Sequence, residues 1–149
     1  MAGSLTLIEG PVFSGKSQAA RQAIEDDEAD LLFEYSELWA ATRAVERNEQ
    51  GRYPVRRDDD AFNRGGFGAA LMTAGVGLAL KKKLRVIVSS GKRNTAEKWK
   101  AVADGAGAAF ALRTIDPGPA VIEVAIIAAG DDEECVTAYQ RWNPNFRRV

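Results

Sequence analysis

The residues Gly10-Pro11-Val12-Phe13-Ser14-Gly15-Lys16-Ser17 follow the spacing G-x-x-x-x-G-K-[ST], and each fixed position has a mechanical job in holding phosphate. Backbone N–H groups of Gly10, Phe13, Ser14 and Gly15 can turn inward as a nest for anionic oxygens. Lys16 then reaches the β- and γ-phosphates, and the Ser17 hydroxyl is a ligand for Mg²⁺. The chemistry this spacing points to is binding of ATP or GTP with Mg²⁺. The plain alternative is a glycine turn followed by a solvated lysine. Against it stands the order around the motif: an apolar strand, Leu5 to Glu9, leads in and a helix from Ser17 to Glu25 leads out.

Phosphoryl transfer asks for more than binding. It needs cations on the transferred group and often a carboxylate for the acceptor hydroxyl. Glu34 and Glu37, just after a second apolar run, are candidates for that carboxylate; a solvated pair at a helix start is the alternative. A further acidic metal ligand is expected after the third strand, but Val86-Ile87-Val88-Ser89-Ser90 contains none. Asp116 follows the fourth strand as a nucleotide-binding candidate, although Asp-Pro-Gly is also a strong turn signal. Residues 114–140 hold no lysine or arginine, so arginines for the transition state must come from Arg52, Arg56, Arg57, Arg64 or Arg141. Arg56, in a long polar loop, is taken as the catalytic candidate. The chain has no histidine, which excludes histidine bases and histidine metal sites. Its one cysteine, Cys135, cannot form an intramolecular disulfide and reads as a small buried hydrophobe.

These residues need a frame. Apolar runs at 30–34, 84–89 and 108–115 read as further strands, and helices are expected at about 37–47, 66–82, 94–104 and 120–129, with a last one starting at Asp131. Ser36, Asn94 or Thr95, and Asp131 with Glu134 offer caps. Residues 48–63 form a polar loop long enough to suggest function. Strands alternating with helices imply a parallel sheet covered on both faces, with ligands beyond the carboxyl ends of the strands.

With 149 residues, the chain is sized for one domain spanning 1–149. A net charge of −1 argues against a general nucleic-acid or membrane-surface binder. The uncharged stretch 65–80 is shorter than a membrane span and holds several glycines, so a helix buried against the sheet is favoured over a membrane segment. No signal peptide is visible, and a cytoplasmic location is expected.

The chain resembles a group of small phage- and prophage-encoded P-loop proteins. The resemblance rests on Gly10 to Ser17, on Asp30-Leu31-Leu32-Phe33-Glu34-Tyr35-Ser36 with Leu38-Trp39-Ala40-Ala41, on Gly51-Arg52-Tyr53-Pro54-Val55-Arg56, on Asp116-Pro117-Gly118, and on Cys135 with Arg141-Trp142. More distantly it is similar to polynucleotide kinases and zeta-toxin-type kinases. The resemblance implies a three-layer α/β/α P-loop NTPase fold with strand order 2-3-1-4 and a nucleoside triphosphate ligand. It implies either γ-phosphoryl transfer to a hydroxyl on a nucleic-acid end or small molecule, or an accessory role in phage assembly with virion proteins as partners.

Overall fold

The computed structural model describes residues 2–49, 51–54, 60–130 and 133–147. The apolar runs form four strands: β1 (Ser4–Glu9), β2 (Leu31–Glu34), β3 (Arg85–Ser90) and β4 (Ala109–Thr114). They make one sheet in the order β2-β3-β1-β4 with every pairing parallel, as expected. Leu5, Leu7, Val86 and Val88 point to the face covered by α3 (Phe67–Lys81) and α4 (Ala96–Gly105), where they meet Met72, Val76, Leu80 and Trp99. Ile8 and Ile87 point to the opposite face, against Ala20 of α1 (Lys16–Glu25). Burial of both faces explains why the central strands read as continuous apolar runs.

Two smaller clusters sit outside this sandwich. Ile122 and Ile126 of α5 (Pro119–Ala128) pack with Cys135 and Tyr139 of α6 (Glu133–Gln140), Trp142 and Phe146. Cys135 is a buried apolar contact there, as its surroundings in the sequence suggest. The other cluster joins α2 (Tyr35–Thr42) to the segment before α3 through Trp39, Ala40 and Phe62. Helix α3 buries Met72, Val76, Ala79 and Leu80 and exposes Leu71 and Leu78, so it is a sheet-covering helix. Among the described residues no helix is long and apolar enough to cross a membrane.

Helix boundaries differ from the sequence reading in instructive places. Helix α2 begins at Tyr35, directly after β2, with Glu34 as its extended N-cap residue; Ser36 lies inside the helix and caps nothing. It ends at Thr42 and not near Arg47. Ala44 takes a left-handed φ of 54°, and the Val45 N–H reaches back to the Ala40 carbonyl at 2.8 Å. That is a Schellman stop, usually marked by glycine. With alanine there, the sequence carries no stop signal. Thr95 precedes α4 but makes no side-chain cap. The expected cap residue Asp131, with Asp132, lies outside the described residues; Glu133 and Glu134 occupy the first turn of α6 as expected.

Candidate functional site

Strand register brings the candidate residues to one edge. Glu9, Ser90 and Thr114 are level at the carboxyl ends of β1, β3 and β4. The chain then turns sharply at Gly10, whose N–H donates to the Ser90 carbonyl at 3.0 Å. A Cβ at Gly10 would lie 2.5 Å from the Ile115 carbonyl oxygen and 2.6 Å from Ser14 Oγ, so the loop closes only without a side chain there. Gly15 has φ of 85°, the second place where the loop needs glycine. Val12 and Phe13 pack their side chains on the α5–α6 cluster, which pins the crown of the loop.

The N-terminus of α1 is left open. Its N-cap residue Gly15 offers no side-chain cap, among the described residues only the Lys16 N–H meets a side chain, Ser14 Oγ at 3.3 Å, and its first turn has no acidic residue, whereas α2, α4 and α6 start with Glu37, Glu97, and Glu133 with Glu134. Its free N–H groups and the positive end of its dipole therefore favour an anion. Lys16 reaches back along the loop, its Nζ donating to the Pro11 carbonyl at 3.5 Å. Burial pushes the Lys16 ammonium below the usual lysine range, and the nearby Glu34 charge opposes that shift only in part.

Glu34, the last residue of β2, stands in register with Ser89 of β3. Its Oε2 accepts a hydrogen bond from Ser17 Oγ at 2.6 Å. Its Oε1 lies 3.6 Å from the Arg21 guanidinium and has no hydrogen bond. Ser89 Oγ is likewise buried and unpartnered. The two residues are only 6% and 5% exposed, so the orphaned atoms mark a place where a ligand group is expected. β3 ends without a carboxylate, and Glu34 stands beside that end on the neighbouring strand β2. Among the described residues no cluster of three metal-ligating side chains exists. A cation here would lean on phosphate oxygens, as Mg²⁺ commonly does.

Glu37 is turned to other work. Its Oε1 accepts from Arg21 at 3.2 Å and from Arg47, and its Oε2 accepts from Tyr53 at 2.7 Å. Burial raises its pKa, but the Tyr53 hydrogen bond and the Arg47 and Arg21 charges outweigh that and hold it below the ordinary glutamate value. Asp116 is similarly engaged. Its Oδ1 accepts the Gly118 N–H at 3.0 Å, and its Oδ2 accepts from Trp142 Nε1 at 3.0 Å and from Arg93 at 3.3 Å. The Arg93 guanidinium stacks 4.2 Å above the Trp142 ring, so this group ties the C-terminal segment to the β4 turn. Arg56 lies outside the described residues, as do Arg57, Asp58 and Asp59. Arg52 points its guanidinium at Cys135 Sγ, 3.0 Å away, and Asp60 accepts from the Trp39 indole N–H.

Two clefts meet at Lys16 and Ser17. One, about 530 Å³, lies along Phe13 to Gln18 and Arg21 on the α1 side. The other, about 710 Å³, runs from Ser17, Glu34 and Ser89 out to Lys92, Lys98 and Arg141. Both volumes suit small molecules. Glu34 lines the second cleft; Glu37 and Asp116 line neither. Sequence reasoning missed Lys98 in this wall, and it singled out the stretches holding Tyr35 and Asn63 without giving either residue a role. No local pattern marks them, because the crossovers that bring α4 and the 60–63 segment here are long-range. Buried Glu9 was also read only as strand. Its Oε2 accepts from the Thr95 N–H at 3.0 Å and from Thr95 Oγ1 at 2.8 Å, which binds the start of α4 to the root of the loop.

No protein-family model matches the chain, and no curated protein matches it significantly in sequence. Solved structures do match in shape. A gluconokinase from Sinorhizobium meliloti 1021 superposes with a TM-score of 0.54 at 18% identity, covering 99% of this chain and 76% of its own. An APS kinase from Mycobacterium tuberculosis gives 0.52 at 16% identity, covering 78% and 77%. The chain therefore shares its α/β fold, a parallel four-stranded sheet in the order 2-3-1-4, with these two proteins.

Proposed function

We propose that the chain is a small P-loop phosphotransferase that binds a nucleoside triphosphate with Mg²⁺ and moves the γ-phosphoryl to a hydroxyl acceptor. The observation that carries this reading is the Ser17–Glu34 hydrogen bond of 2.6 Å, set beside Lys16 at the mouth of a second cleft. Glu34 is buried and half satisfied in the wall of the second cleft, beside the Lys16 and Ser17 shared by both clefts, so one oxygen can serve the nucleotide side while the other faces an acceptor. The likeness in fold to a gluconokinase and an APS kinase agrees with this reading.

The loop N–H groups and the α1 terminus hold the phosphates, and Lys16 offsets charge on the γ-phosphoryl. Ser17 and Glu34 fit the cation, which when bound would neutralise charge on the phosphates. Glu34 Oε1, without a donor of its own, takes the proton of the acceptor hydroxyl. The acceptor oxygen bonds to the γ-phosphorus, the bond to the β–γ bridging oxygen breaks, and its electron pair leaves with the nucleoside diphosphate. Such a protein works where triphosphate and Mg²⁺ are plentiful, in the cytoplasm.

A second reading is a nucleotide-binding accessory protein with slow turnover. It is favoured by one observation: among the described residues only one arginine, Arg141, lines the second cleft. A role in phage assembly rests on the sequence resemblance alone. Calorimetric titration with Mg-ATP and Mg-GTP tests the shared core of both readings. Lys16→Ala should abolish measurable binding while the circular dichroism spectrum stays native; unchanged affinity would remove this loop as the site.

A further inference from the structure

We infer that the acceptor itself carries a negative charge, a carboxylate or a phosphate, at the end opposite the hydroxyl that is phosphorylated. The inference rests on the phosphotransferase reading and adds the chemical class of its second substrate.

The charge distribution of the second cleft carries it. The wall near the loop holds its one carboxylate, Glu34, with Lys16 and Ser17. The outer wall holds Lys92 from the turn after β3, Lys98 on α4, and Arg141 just past α6. Among the described residues none of these three has a carboxylate partner, although the chain as a whole is slightly acidic. Some exposed cations elsewhere are matched, as Arg85 with Asp27 and Asp30 and Lys100 with Asp104, and others such as Lys81 and Lys82 have no carboxylate partner among the described residues; what sets these three apart is that they line one cleft. Three cations from three separate elements, Lys98 with its Nζ 4.9 Å from the Trp99 ring centroid, line one cleft that holds a single carboxylate, and together they form an anion clamp.

The turn carrying Lys92 is also fixed rather than loose. The Lys92 N–H donates to Ser90 Oγ at 3.2 Å, and Glu9 fastens the residue at the end of the same turn, Thr95, from the β1 side. A clamp anchored in this way holds an anion at a set separation from Glu34. The anionic end of the acceptor docks between Lys92 and Arg141, and its hydroxyl is presented to Glu34. At about 710 Å³ the cleft takes a small molecule. The net charge of −1 argues against a general polynucleotide binder.

The experiment uses the full chain with Mg-ATP and acceptors in matched sets: glycerol with glycerol 3-phosphate and glycerate, and ribose with ribose 5-phosphate and ribonate. The expected result is that kcat/KM for the charged member of each set exceeds that of the neutral one by at least about tenfold, the worth of one charge-assisted hydrogen bond. Phosphate and carboxylate arms tell the two anion sources apart. Arg141→Gln and Lys92→Gln should reduce the preference to within about threefold by raising KM more than they lower kcat. The melting temperature with a non-hydrolysable ATP analogue provides a second readout, since charged acceptors should raise it in the wild type and not in Arg141→Gln. Nucleotide affinity is titrated separately, so a failure of the underlying reading shows there. Equal use of neutral and charged acceptors, with no charge-dependent melting shift, would overturn the inference. So would preferred transfer to an oligonucleotide 5′-hydroxyl over every small molecule.

Discussion

Replacing Glu34 by glutamine removes one negative charge and changes almost no volume. Three local effects set the stability change. A buried acceptor without a donor, Oε1, is replaced by an amide N–H₂ that has Ser89 Oγ, also unpartnered, across the β2–β3 register. Satisfying such a group contributes about 1–3 kcal/mol. The new carbonyl still accepts from Ser17 Oγ. What is lost is attraction to Arg21 at 3.6 Å, a side chain 53% exposed, and to the nearby Lys16 ammonium, together on the order of 1 kcal/mol. The net expectation is a gain of about 1–2 kcal/mol, or roughly 2–8 °C in melting temperature for a domain of this size. Transfer from Mg-ATP should fall on the order of 10²–10⁴, the usual contribution of a positioned base. More stable yet less active is the signature of a residue kept for chemistry. Thermal unfolding and phosphate transfer on the same preparation test it. A variant that melts lower and turns over normally would show Glu34 to be a structural residue, and the mechanism would lose its base.

Glu37→Gln should behave in the opposite way. Turnover stays within about threefold, because its oxygens serve Arg21, Arg47 and Tyr53 and it lines neither cleft, while stability falls by up to ~1 kcal/mol. Its pKa is depressed in the fold, so that stability is present above the ordinary glutamate value and is lost as pH falls through the folded value; acid unfolding of the variant should therefore begin from a lower plateau and slope less. Lys16 supplies a pH test of binding: its pKa is lowered in the free protein and a bound phosphate favours the charged form, so nucleotide affinity should decline as pH rises through a value below that of ordinary lysine. Affinity that stays flat up to the normal lysine range would show that Lys16 does not hold the phosphate.

Much of this site is legible in the chain because its parts are local. The loop needs Gly10, Gly15, Lys16 and Ser17 at fixed spacing, and a strand and helix on either side, all within two dozen residues. The parallel sheet is legible for a related reason, since apolar runs alternating with helices restrict the topology, whereas its order 2-3-1-4 follows from the family resemblance and not from the spacing. What could not be read is the partner of each polar group. Glu34 and Glu37 sit three residues apart, yet one is buried beside Ser17 and the other faces Arg47 and Tyr53. Three residues is nearly one helical turn, so the difference comes from α2 starting at Tyr35: it leaves Glu34 on the strand end and Glu37 on the helix. Likewise Asp116 looks the same in sequence whether it meets a nucleotide or the Trp142 indole.

The strand order also constrains how the molecule can come into being. β1, which carries the phosphate loop, and β2, which ends at Glu34, share no hydrogen bonds, because β3 lies between them. The segments that hold Lys16 and Glu34 are both made early in the chain, yet they are brought side by side only once residues 85–90 have paired with each. A nascent or cleaved chain ending before that strand contains the glycine-rich loop sequence but not the proposed site. Assembly of the site and completion of the central sheet are then a single cooperative event, and ligand added during refolding should accelerate nothing before that event, while holding what forms after it.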